Sequence, residues 1–418
     1  MYRFIIILLM LLPQAVFAYN TPIIVLTTFS PNSLSTLIAD YKAKHPNVNI
    51  KVLHRHEDAA ARLLGDPTHD IDMVITTSIG LFELLQRSKT LITLPSVNDE
   101  FANKEVKATL QHFNNRVALL GYSRYGFMWN QRYLEKHNLD RPSSWESLTH
   151  PQYFQHIIMA TPSRSTSSHY MVESILQQYG WQAGWKLLYQ ISGNLASVSM
   201  FNVTDQISRG LVGVAPVVDA FAFKTQKPFP FIGFSYQPNS PVLPAYMASI
   251  KNLHHSTQTV NFLQYLEAFQ GNKSLHPKSH LDYRLPHKNE ALEVSQRLDF
   301  SLINQRSDIV KKLFTHTIVH SLALHNKAWQ LIHKVQTFSQ LTAQQHQQLN
   351  QAITLATTPP ISEQDVEAMI NASERDAAKA QQNENDSHLW CLDMYERLNA
   401  SITMTENIVM EYEVYNHG

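Results

Sequence analysis

At 418 residues, with 34 Lys and Arg against 34 Asp and Glu, the chain carries no net charge when its histidines are neutral. That balance gives no overall field toward nucleic acid or an acidic membrane surface, so no nucleic-acid partner is expected and any charged partner is met locally. A hydrophobic share of 44% without long biased tracts reads as globular, and the length exceeds what one core serves, so two or three domains are expected.

Residues 1–18 read as a secretory signal: Arg3 lies in the charged region, residues 5–12 form the apolar core, and Val16-Phe17-Ala18 is a small-residue cleavage site. The apolar core is well short of the ~20 residues of a spanning helix. A mature chain is therefore expected from near Tyr19, in a periplasm and without a lipid anchor. Cys391 is the sole cysteine, which excludes an internal disulfide.

Residues 22–28 form a β-branched run that predicts a first central strand, ending at Phe29-Ser30-Pro31-Asn32-Ser33. Leu34, Leu37, Ile38 and Tyr41 mark a helix face that stops before His45-Pro46. Residues 49–53 predict a second strand, 59–64 a helix, 71–75 a third strand ending at Thr76-Thr77-Ser78, and 81–86 a further helix. This alternation implies an α/β architecture with a mostly parallel sheet covered on both faces. Ligands of such sheets sit beyond the carboxyl ends of the strands, where Ser30, Thr77 and Ser78 fall.

Residues 117–130 read as one extended, aromatic-dense segment with Gly121 and Gly126 as flexible points, either a crossover between lobes or a plain hairpin strand. A short helix over 133–138 follows, and Ser144 is placed as an N-cap before Trp145.

The central stretch comes next. Residues 157–160 predict a buried strand, and Met171, Val172, Ile175, Leu176 and Tyr179 recur at helical spacing until Gly180 stops them. Between lies Pro162-Ser163-Arg164-Ser165-Thr166-Ser167-Ser168-His169, at a strand end and a helix start. A helix's first turn leaves about four backbone N–H groups unpaired and carries partial positive charge. Hydroxyls and a guanidinium added there suit a carboxylate or a phosphate. The same residues also cap helices, so a plain N-cap and loop is the alternative.

A helix over 185–191 closes at Gly193-Asn194, Thr204 is expected to cap a short helix through Ser208, and residues 211–218 rise as a strand ending at Asp219. That puts Asn202, Asp219 and the Ser/Arg loop on one candidate lobe. Residues 238–244 form a Pro-rich connection, 245–250 a returning strand and 255–271 a helix. From Leu302 onward the texture is helical and Gln/His-rich, with helices expected over 309–341, 341–355 and 389–412 and a solvated polar stretch at 373–387.

His54 with His56, on one strand face, and His316 with His320, on one helix face, lack the glutamate or cysteines of a zinc pattern, so no metal site is expected. There is no phosphate loop, dinucleotide fingerprint or nucleophile elbow, so neither a cofactor nor catalysis is expected.

Thr27-Thr28-Phe29-Ser30-Pro31, then Pro142-x-Ser144-Trp145-Glu146-x-Leu148 and a strand ending in Pro162-Ser163-Arg164-Ser165, resembles the periplasmic solute-binding proteins of the iron(III)/organophosphate type. Ser163-Arg164-Ser165, His169, Met171-Val172-Glu173-Ser174, Gly180-Trp181-x-Ala183-Gly184-Trp185 and Ile191-Ser192-Gly193-Asn194-Leu195 are similar to the branch that regulates phosphoglycerate transport. The resemblance implies a two-lobed periplasmic-binding-protein fold (type II) that closes like a hinged clamp. Lobe 1 is expected over 19–124 plus 238–300, lobe 2 over 125–237, and a helical C-terminal extension over 301–418. The implied function is a receptor for a small phosphorylated carboxylate, phosphoglycerate or similar, that signals to a membrane sensor kinase controlling phosphoglycerate uptake. The alternatives are delivery of an organophosphate or ferric ion to an ABC permease and, farther off, a phosphate-ester hydrolase. Ser163, Arg164, Ser165 and His169 carry over by motif, and Thr166 belongs to the same helix start. Ser30, Thr77, Ser78, Asn202 and Asp219 rest on the strand-end argument alone. Iron-binding members use adjacent tyrosines, where this chain has Val217-Val218-Asp219-Ala220.

Overall fold

The computed structural model describes residues 21–29, 34–97, 99, 102, 104–201, 203–251, 257–271, 298–373 and 377–417. The expected signal, Ser30 and Asn202 lie outside the described residues. No helix among the described residues is long and apolar enough to cross a membrane.

The alternation expected at the start is present: β1 (Ile23–Thr27), α1 (Ser35–Lys44), β2 (Ile50–His54), α2 (Glu57–Gly65), β3 (Met73–Thr76) and α3 (Ile79–Arg87). β1 pairs in parallel with both β2 and β3, and its residues are all buried, as a β-branched run with both faces covered should be. After α4 (Lys104–His112), which lacked a sequence signal, comes β4 (Ala118–Asn130).

β4 settles the crossover alternative. Its first half, through Arg124, pairs antiparallel with the returning strand, while its second half, from Tyr125, pairs with two other strands. One strand thus belongs to two ladders, and the change of partner falls between Arg124 and Tyr125. Gly126 lies where this second ladder closes in: a Cβ there would sit 2.2 Å from the Ser235 carbonyl oxygen.

The second ladder is built by α5 (Gln131–His137), β5 (Ile157–Ala160), α6 (Thr166–Tyr179), α7 (Trp181–Gly193), β6 (Leu195–Ser199), α8 (Thr204–Ser208), β7 (Val214–Val218), α9 (Asp219–Gln226) and β8 (Ile232–Tyr236). β9 (Val242–Ser249) then returns beside β3 and the first half of β4, and α10 (Thr257–Gly271) packs on it. The strand order is β2-β1-β3-β9-β4-β7-β5-β6, with β8 also on β4.

Four local readings are corrected. β6 and β8 are additions to the sequence reading: β6 lacks a regular apolar alternation, whereas β8 has one in Ile232, Phe234 and Tyr236, over only five residues. The strand expected over 211–218 begins at Val214, and Asp219 starts α9. Thr204 is the first residue of α8 and Val203 precedes it without a side-chain cap. The helix expected over 309–341 is broken in two by a π-turn, Thr315–Val319.

The C-terminal helices are α11 (Phe300–Phe314), α12 (Leu322–Gln336), α13 (Ala343–Thr357), α14 (Glu363–Ser373) and α15 (Ala377–His417). They share one hydrophobic core with α6 and α7, through residues such as Trp185, Ile191, Ile303, Trp329, Ile332 and Leu398. Gly193 permits this approach: a Cβ there would meet the Trp329 ring at 2.2 Å. Polar bonds fix the register, with Trp181 Nε1 donating to the Ile361 carbonyl at 2.9 Å and Asn326 Nδ2 to those of Gly193 and Leu195 at 2.9 and 3.0 Å.

Candidate ligand-binding cleft

A cavity of about 440 Å³ opens between the two ladders, at the carboxyl ends of β1, β3, β5 and β7. Thr28, Phe29, His54, His56 and Thr77 line one side, and Thr161, Arg164, Ser165, Thr166, Ser167 and Ser168 line the other. Ser123, Tyr125 and Leu243 lie along the strands that join them. Such a volume suits a small molecule, and strand ends are where sheets of this class take ligands.

The far wall is built by α6. Ser165 is its N-cap, with φ −136° and ψ 110°, and its Oγ accepts from the Ser168 amide at 3.2 Å. The His169 amide bonds the Ser165 carbonyl at 2.9 Å. Thr166 and Ser167, whose amides have no carbonyl one turn back, line the cavity. Arg164 lines it too and is exposed, and Tyr125 braces the turn by donating its hydroxyl to the Ser167 carbonyl at 2.5 Å.

The charge in this wall has one sign. Arg164, His54 and His56 line the cavity and, among the described residues, no carboxylate does. The rings of His54 and His56 lie 5.4 Å apart, and burial, then the neighbouring His56, hold His54 below its usual pKa. The arrangement offers amides, hydroxyls, one fixed cation and two imidazoles. Phe29, Met200 and Phe201 add apolar surface, Phe201 being 81% exposed.

Of the residues expected to bind ligand, Thr77, Arg164, Ser165 and Thr166 come together in this cavity. The others that can be placed do not line it. Ser78 caps α3 and donates to the Glu57 carboxylate. Ser163 exchanges a hydrogen bond with Thr161 Oγ1 at 3.0 Å. His169 is buried within α6, 4.0 Å from Glu173, and burial, with Lys311 and Arg306 nearby, pushes its pKa down to about 3. It is a neutral ring facing the C-terminal helices because helical rotation turns it away from Ser165 and Thr166.

Asp219 is also buried and satisfied. It accepts from Ser123 Oγ at 2.7 Å, the Ala220 amide at 2.8 Å and the Tyr236 hydroxyl at 3.1 Å, while burial raises its pKa. It ties β4 to α9, and an acceptor-only carboxylate would repel an anion. Arg124 stacks over the Tyr236 ring at 4.7 Å.

The two sides also touch directly. Tyr170 donates its hydroxyl to the Thr77 carbonyl at 3.2 Å, and Thr166 Oγ1 lies 3.5 Å from Glu57 Oε2. Where the chain crosses back, the Tyr125 amide donates to Ser240 Oγ at 2.8 Å and the Gln237 amide to the Tyr125 carbonyl at 3.2 Å. These crossing segments join the two ladders.

The sequence is 32% identical over 332 residues to the phosphoglycerate transport regulatory protein PgtC of Salmonella typhimurium, covering 77% of this chain and 82% of that one. The chain belongs to the bacterial extracellular solute-binding proteins. The family described by that name matches residues 70–266. Among solved structures, the periplasmic binding protein P5PA superposes with a TM-score of 0.59 at 13% identity, covering 70% of this chain and 98% of that one. The periplasmic binding protein AfuA of Actinobacillus pleuropneumoniae, with fructose-6-phosphate bound, gives 0.57 at 12%, covering 71% and 98%. At such identities these likenesses speak for the fold alone, a mixed α/β periplasmic-binding-protein fold, here with C-terminal helices.

In this solute-binding protein, His54, His56, Thr28 and Phe29 are the cleft residues that sequence reasoning missed. The signal was present for the histidines: they follow a strand end, the position used to select Thr77. They were weighed only as a metal pair.

Proposed function

We propose that this chain is a periplasmic receptor that closes two lobes over a small phosphorylated carboxylate, phosphoglycerate or a close analogue, and reports closure to a membrane sensor kinase controlling phosphoglycerate uptake. In this reading lobe 1 spans 19–124 plus 238–300, lobe 2 spans 125–237, and residues 301–418 are the reporting extension. The N-terminal segment is a cleaved export signal, and the protein performs no catalysis. The observation that carries the reading is the cleft wall: the start of α6, Arg164 and two histidines face one cavity, and no carboxylate lines it among the described residues. Ser163 and His169 act by shaping that wall, and Ser78 and Asp219 by holding the two ladders around it.

Kinship to PgtC supports the ligand class and the regulatory role. A mechanism for reporting follows from the packing of α6. Its first turn meets the ligand, and one turn beyond His169 its Glu173 carboxylate takes a forked bond from Arg306 of α11, with distances of 2.7 to 3.2 Å. Burial pushes Glu173 above the usual carboxylate range, and Arg306 opposes that shift. The extension also reaches lobe 1: Lys311 lies 3.8 Å from Glu57 Oε2, across a groove of about 730 Å³ between α2, α3 and α11. Rotation of one lobe against the other must change this groove, so ligand binding shifts a conformational equilibrium that the extension displays.

The second reading, delivery to an importer, needs only two lobes and gives the extension no reporting role beyond covering lobe 2. A ferric cargo is disfavoured by the lining, in which the single tyrosine among the described residues, Tyr125, already spends its hydroxyl on Ser167. A melting-temperature screen tests the ligand class, because a ligand that binds only the folded state raises Tm. Phosphoglycerates are expected to raise it and ferric ion to leave it unchanged. The reverse pattern overturns the reading. In cells, deleting the protein should abolish phosphoglycerate induction yet leave uptake intact when the permease is expressed artificially; lost uptake would favour delivery.

A further inference from the structure

The C-terminal helices hold a second cluster, remote in composition from the anion cleft. His316 lies in the π-turn after α11, and His320 follows that turn directly. Cys391 lies on α15, brought alongside by the packing of α15 against the turn. One ligand atom from each of the three lies within 4.8 Å of the other two. His388, one helical turn before Cys391 and on the same face, faces His316 with ring centroids 5.7 Å apart.

The spacing has a chemical meaning. His316 and His320 are separated by three residues, and His388 and Cys391 by two, the intervals that let one helical face offer two donors to one ion. In a tetrahedron with bonds of about 2.0 to 2.3 Å, ligand atoms stand roughly 3.3 to 3.8 Å apart, about an ångström closer than the 4.8 Å within which the atoms of His316, His320 and Cys391 already lie. Two further observations point to a ligand. His316 Nδ1 is buried with no hydrogen-bond partner, a cost that a coordinate bond would remove. The turn that carries it is a π-turn, and such turns recur at functional sites. Sequence reasoning set the histidine pair aside because no cysteine lay near it, and the fold supplies one.

We propose that His316, His320, His388 and Cys391 form a zinc site that staples the α11–α12 turn to α15. Imidazole nitrogens with one thiolate are a donor set that suits Zn²⁺. The staple joins two elements of the extension, and the proposal goes beyond the anion reading without depending on it.

The test uses the full mature chain, stripped with a chelator and with no phosphorylated ligand present. Calorimetric titration with Zn²⁺ should give one equivalent, and Co²⁺ in its place should produce a thiolate-to-cobalt charge-transfer band. Cys391→Ser should abolish that band, and both it and His316→Ala should weaken Zn²⁺ binding at least about tenfold. Circular dichroism and melting of the metal-free variants show whether each still folds. Zn²⁺ affinity unchanged in both folded variants, or one equivalent of Co²⁺ bound without the band, overturns the proposal. Because the titration contains no anion, failure here leaves the cleft untouched, and failure of the phosphoglycerate screen leaves this site untouched.

Discussion

The two lobes differ in what covers their sheets. The β1-β2-β3-β9 half is packed on both faces by its own helices, with α2, α3 and α4 on one side and α1 and α10 on the other. The half that carries the start of α6 has a small core of its own on one face, built around Met128, Ile158 and Ile207. Its other face belongs to a core continuous with α11 to α15. The difference teaches that the extension is no separate domain resting on a finished receptor. It is the second layer of lobe 2, and α6 lies between the cavity and the extension. A layered α/β lobe needs both faces covered; in lobe 1 that cover comes from helices next in sequence to its own strands, α10 following β9, while in lobe 2 one face is covered by the C-terminal helices.

The largest effect should come from breaking the joint that only lobe 2 possesses. Arg306→Ala leaves the buried Glu173 carboxylate unpaired and should cost about 3 to 5 kcal/mol in denaturant unfolding. The pair Arg306→Met with Glu173→Leu should regain most of it. If Arg306→Ala cost no more than a surface substitution, the shared core would not be the structural unit described.

Gly193→Ala asks the same question with a methyl group. The added Cβ meets the Trp329 ring, and overpacking of this kind should cost about 1 to 3 kcal/mol. Gly65→Ala in lobe 1 meets nothing within 4 Å and should leave stability within about 0.5 kcal/mol. Equal losses at both glycines would erase the contrast.

A smaller effect tests the lobe 1 side of the cleft. His54 sits below its usual pKa in the free protein, so its ring is neutral at neutral pH. An anion beside it favours the protonated ring, so the bound pKa exceeds the free one. Affinity should therefore rise as pH falls through the bound pKa and level off below the free one. A gain of roughly threefold to tenfold is expected from about pH 8 to about pH 6, by calorimetry, and His54→Ala should flatten it.

Much of this fold was legible because its signals are local. The strands of lobe 1 are contiguous apolar runs, and β4 announced itself by length and aromatic content. The start of α6 was legible because Ser165 is a standard cap following a strand. What failed was non-local. β8 carries a short alternation of Ile232, Phe234 and Tyr236, but a five-residue run does not say which strand it joins, and its place is set by pairing with β4. Asp219 shares the strand-end position of Thr77, yet its carboxylate turns inward because Ser123 and Tyr236, from other segments, supply donors there. His169 belongs to the right helix and to its wrong face, a rotation fixed only once Arg306 and Lys311 arrive from the C-terminal helices.

The most direct measurement is the calorimetric affinity for 3-phosphoglycerate of the unaltered chain and of Arg164→Ala. Arg164 is an exposed side chain on the cavity wall, so its removal should leave the ligand-free melting temperature unchanged. Loss of one charge-assisted hydrogen bond, about 1.5 to 3 kcal/mol, predicts binding weakened tenfold or more. Equal affinity in the two proteins would contradict capture of an anion at the start of α6.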